Sequence, residues 1–137
     1  MSATSSERTS AGSVAAEISN AVVRLLSEYT GRGPTRARTH ITEELISVVL
    51  RDTLTKGEIS LIAAGKTELV LAARKAYQEA MGADLTAAVE HHSGRKVLAF
   101  LSDNHLEPDI AIESFVLEPR SGEAPDSLQA EPERESS

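Results

Sequence analysis

The chain has 137 residues, with 21 Asp and Glu against 14 Lys and Arg, a formal charge of -7 and no cysteine. That balance opposes general attraction to nucleic acid or anionic lipid, and the missing thiol excludes disulfides, thiolate metal sites and cysteine nucleophiles. Aromatic residues are 3% of the chain and comprise Tyr29, Tyr77, Phe100 and Phe115, a poor stacking platform for single strands.

The polar segment 1–12 lacks the apolar core of a secretory signal and is expected to be disordered and dispensable for folding. No apolar run approaches the ~18 residues of a membrane-spanning helix, so the chain is expected to be cytoplasmic. From Ser13, which can cap a helix, Val14, Ile18, Val22, Leu25 and Tyr29 recur at helical spacing, and Gly31 ends that helix. Pro34 forbids its continuation. Thr35 to Ile41 then alternates Arg36, Arg38 and His40 with Ala37, Thr39 and Ile41, the pattern of a strand with one cationic face.

After Thr42-Glu43-Glu44, the β-branched run Leu45 to Leu54 reads as a second strand closing a hairpin. Thr55-Lys56-Gly57-Glu58 fits a capping box, so a short helix is expected through Ala64, stopped at Gly65. From Thr67, the residues Leu69, Ala73, Tyr77, Ala80, Met81, Leu85, Ala88, Val89 and His92 share one helical face across Gly82. About 26 residues at 1.5 Å rise give a helix near 39 Å long, which would overhang a small sheet and offer its Leu69 to Val89 stripe to a second subunit. A homodimer is therefore expected.

Val97 to Leu101 and Ile110 to Leu117 read as a second hairpin, joined through Asp103 to Asp109. The expected fold is α+β in the order α-β-β-α-α-β-β, with two antiparallel hairpins forming a sheet packed against the first helix and the long helix. The domain spans 13–118, and residues 119–137 read as a disordered acidic tail.

Two constellations have chemical potential. Gly31-Arg32-Gly33-Pro34 with Arg36, Arg38 and His40 could hold a small anion, because glycines let backbone amides approach a ligand and guanidinium forks match planar oxyanions. The alternative is a helix cap and turn whose arginines pair with surface acids. Asp103, His105, Glu107 and Asp109 stand at alternate positions and could hold Mg²⁺, Mn²⁺ or Zn²⁺ with an activated water, which would make the chain a metal-dependent enzyme. Against that, Pro108 breaks the alternation, and a solvated turn has the same composition. No P-loop, nucleophile elbow or i, i+4 histidine pair is present, and no cofactor is implied.

The blocks Gly31-Arg32-Gly33-Pro34, Leu50-Arg51-Asp52-Thr53-Leu54-Thr55, Tyr77-Gln78-Glu79-Ala80-Met81, and Gly94 to Asp103 with Glu107-Pro108-Asp109-Ile110 together resemble the MpsC-like proteins, over about Glu17 to Glu118. The resemblance implies an accessory or regulatory component of a Na⁺-translocating, membrane-potential-generating system whose membrane partners are linked to bicarbonate uptake. It transfers no catalytic residue, so a non-enzymatic binding module is expected, partnered by a membrane complex and not by nucleic acid.

Overall fold

Seven elements follow the expected order in a computed structural model that describes residues 2–120, with side chains from residue 12. They are α1 (Ser2–Thr30), β1 (Arg36–Ile41), β2 (Leu45–Arg51), α2 (Lys56–Ala63), α3 (Thr67–Ser93), β3 (Val97–His105) and β4 (Ile110–Leu117). The expected acidic tail, from residue 121 on, lies outside the described residues.

Helix α1 starts at Ser2, whereas the polar composition of 1–12 predicts no order and a start at Ser13. Once the turns from Val14 onward are packed, extending the helix backwards fixes one residue per hydrogen bond with no second nucleation cost, and no proline intervenes. At the other end, Gly31 adopts φ 81° and its N–H bonds the Ser27 carbonyl at 2.9 Å, closing the helix in the left-handed conformation glycine tolerates.

The four strands form one antiparallel sheet in the order β1-β2-β4-β3, so the two hairpins join through their second strands. Strand parity then separates two faces. Ile46, Val48, Leu50, Ala111, Phe115 and Leu117 turn to one side and pack with Ile18 and Val22 of α1 and Met81, Leu85 and Val89 of α3. Phe115 is completely buried and stacks on Phe100 with ring centroids 5.1 Å apart. Gly82 of α3 lies against this pair, where a Cβ would make ordinary contact with the Phe100 ring at 3.4 Å.

The capping box forms as the sequence predicts, with Glu58 N–H donating to Thr55 Oγ1 at 3.1 Å and Thr55 N–H to Glu58 Oε1 at 2.9 Å. Strand β2 stops at Arg51, three residues before the expected end at Leu54, because Asp52 takes φ 59° and turns the chain. Strand β3 instead continues to His105, pairing with β4 as far as His105 opposite Ile110.

The buried stripe of α3 is rotated from the expected one in its first half. Val70, Gln78, Met81, Leu85 and Val89 are buried, while Leu69 and Tyr77 are 57% and 43% exposed. Apolar periodicity ranks Arg74 and Gln78 as outward-facing, yet polar partners beneath the helix turn them inward. The C-terminal half of the stripe is consumed by the core. The proposed dimer contact on the Leu69 to Val89 face therefore loses its continuous apolar surface.

Candidate functional site

Rotation of α3 creates a buried polar layer between this helix, α2 and the sheet. Arg74 donates from Nε and Nη2 to both Glu58 carboxylate oxygens, at 3.1 and 3.0 Å, and from Nη1 to Thr53 Oγ1 at 2.9 Å and Asn104 Oδ1 at 3.2 Å. Gln78 and Asn104 bond reciprocally at 3.0 and 3.1 Å. Such a two-pronged guanidinium–carboxylate pair, with its remaining donors satisfied, repays the cost of removing both charges from water.

Beside it Glu113 is 1% exposed and accepts a hydrogen bond from the Ser102 hydroxyl. Burial pushes its carboxyl up to about 7, while the Ser102 bond and the charge of Arg74 pull in the opposite direction. Arg32, Thr53, Arg74, Gln78 and Glu113 border a cavity of about 30 Å³, room for one or two water molecules. The site sets a buried carboxyl beside a guanidinium. The sequence signal for it was a glutamate at the inward parity of β4, between Ala111 and Phe115.

The cationic strand face exists, with one change of membership. Arg36, Arg38 and His40 are exposed on β1, and the register sets Arg51 of β2 opposite Arg36. These residues line a shallow groove with Val49. Arg32 is not among them: it borders the cavity beside Glu113 instead and its Nη2 donates to the Asp52 carbonyl at 3.1 Å. Arg36, Arg38 and Arg51 have no ion-pair partner among the described residues, so the expected alternative of pairing with surface acids does not account for them. Gly33 has a packing role, since a Cβ there would meet Ser27 Oγ at 2.5 Å. It lets the loop cross the last turn of α1.

Asp103, His105, Glu107 and Asp109 are not brought together. Asp103 and His105 lie in β3 rather than in a loop. The His105 ring nitrogen Nδ1 is 2.8 Å from the Pro108 carbonyl oxygen, and Asp109 is turned away to accept from Thr53 Oγ1 at 2.9 Å and Leu54 N–H at 2.8 Å. Among the described residues no three His, Asp or Glu side chains converge as metal ligands would. The reason is structural: Asp109 ties the β3–β4 turn to the segment entering α2, which breaks the alternation.

A four-stranded antiparallel sheet under two long helices, with exposed arginines along β1 and at the end of β2, defines a small α+β domain. No helix among the described residues is long and apolar enough to cross a membrane. Residues 10–119 match the family described as the Na⁺-translocating membrane potential-generating system (MpsC), and the chain belongs to that family. Neither a curated protein nor a solved structure matched the chain.

Proposed function

We propose that this chain is a non-catalytic accessory component that regulates a Na⁺-translocating or bicarbonate-uptake complex from the cytoplasmic side of the membrane. The observation that carries the reading is the family match over residues 10–119, which associates the chain with a Na⁺-translocating system. The unpaired strip supports an anion, such as bicarbonate, as the regulating ligand. Arg36 and Arg51 are direct cross-strand partners, close enough for two guanidinium forks to share one planar oxyanion. Dispersal of Asp103, His105, Glu107 and Asp109 gives the metal-dependent alternative less support.

Calorimetry with bicarbonate and with phosphate at fixed pH and salt tests the ligand. Wild type is expected to release heat, and Arg36→Lys with Arg51→Lys to weaken binding by roughly tenfold, because charge is kept and the fork is lost. Co-purification of the chain with solubilised membrane complexes, with and without bicarbonate, tests the regulation. No heat at millimolar anion and no membrane complex recovered would together refute the reading.

A further inference from the structure

No element among the described residues covers the sheet face opposite α1 and α3. The antiparallel register arranges that face in rows running across the four strands. One row reads Arg38, Val49, Ile112, Asp103: a cation at one edge, two β-branched side chains in the middle and an anion at the other edge. The row above is Arg36, Arg51, Ile110, His105, and the row below is His40, Ser47, Ser114, Leu101. Ile112 and Leu101 are 40% and 57% exposed, and Leu45 at the next level is 36% exposed. Arg38 and Asp103 stand three strand spacings apart, about 14 Å, and neither has an ion pair among the described residues.

We propose that a second copy of this chain covers this face, related by a two-fold axis running along the strands between β2 and β4. That operation lays β1 of one copy over β3 of the other while keeping each row at its own level. Arg38 then faces the partner's Asp103, and Val49 the partner's Ile112, each contact occurring twice, as an isologous interface requires. A two-fold axis across the strands would instead set β1 on β1, placing Arg36, Arg38 and His40 against their own copies with no acid between them. Charge selects the first arrangement, because like charges held face to face disfavour the second.

Aligned sheets pack about 10 Å apart, a distance that Arg and Asp side chains from opposite layers span. Four strands by four rows project to roughly 500 Å² per copy, under the ~800 Å² per partner of a standard interface. The dimer is therefore a reversible one, with dissociation in the micromolar range as the expectation for so small a contact, on the order of 10 µM. Arg36 and Arg51 of the anion reading lie in the adjoining row of this face and would be covered with it, so calorimetry on Asp103→Arg, which keeps both arginines and disfavours association, separates the two readings.

Sedimentation equilibrium of the full chain from about 1 to 200 µM, spanning the expected dissociation constant, reads the outcome. The mass is expected to rise from 14.6 kDa to twice that value. Arg38→Asp and Asp103→Arg, both at exposed positions, should each weaken association about tenfold or more, and their combination should restore it to within about threefold. Far-ultraviolet circular dichroism confirms that each variant is folded. A monomer at every concentration would overturn the proposal, as would a dimer indifferent to both single reversals, or singles that weaken it with no restoration in the pair.

Discussion

Replacing Glu113 by Gln tests whether the buried carboxyl is held at a cost to the fold. Its ordinary value of 4.5 is raised to about 7 by burial, so the folded chain keeps this proton over a range where the unfolded chain has lost it. Folding takes up a proton between about 4.5 and 7, and linkage then requires stability to decline as pH rises through that window and to level off above it. At about 1.4 kcal/mol per unit, the full displacement corresponds to roughly 3 kcal/mol. Glutamine keeps the shape and can still bond Ser102, but it cannot ionise. Glu113→Gln is therefore expected to match wild type near pH 4.5, to be more stable by up to roughly 3 kcal/mol at pH 8, and to lose the slope between. Urea denaturation at half-unit pH steps measures this. A variant whose stability parallels wild type throughout would refute the assignment of the slope to Glu113.

Three further outcomes follow from the same layer and its supports. Arg74→Met removes four donated hydrogen bonds and leaves the Glu58 carboxylate without its counter-charge, held only by the Thr55 N–H, so a loss of about 3 kcal/mol is expected by urea denaturation. Thr55→Ala deletes the cap of α2 and should cost about 1 kcal/mol, while Thr55→Ser should retain most of it. Asp109→Ala frees Thr53 and Leu54 N–H from their acceptor and should cost about 2 kcal/mol. If Asp109 were instead a ligand, Mn²⁺ or Zn²⁺ titration would distinguish wild type from that variant; equal titrations are expected.

Element order, the α1 stripe, the capping box and the alternation of β1 were legible because each depends on neighbours within a turn or a strand. Gly31 and Pro34 punctuate the chain through their own backbone limits, and no tertiary contact is needed to read them. The family was legible for a different reason, since ordered blocks of residues identify a relationship that no single motif does.

Only the tertiary structure decided what depends on distant pairing. Arg51 joined the cationic strip because the β1–β2 register sets it opposite Arg36, and Arg32 left it because its side chain bonds across to Asp52. Arg74 and Gln78 turned inward because Glu58, Thr53 and Asn104, all distant in sequence, supply partners that hydropathy cannot anticipate. Asp109 left the suspected metal set for the same reason, bonding Thr53 and Leu54 from across the fold. The uncovered sheet face emerged from the pairing of β2 with β4, which puts Val49 beside Ile112 and sets Arg38 and Asp103 at opposite edges. The sequence by itself determines which residues are apolar, charged or conformationally special; chain closure decides which of them meet, since hydrogen-bond and charge partners are properties of space rather than of spacing.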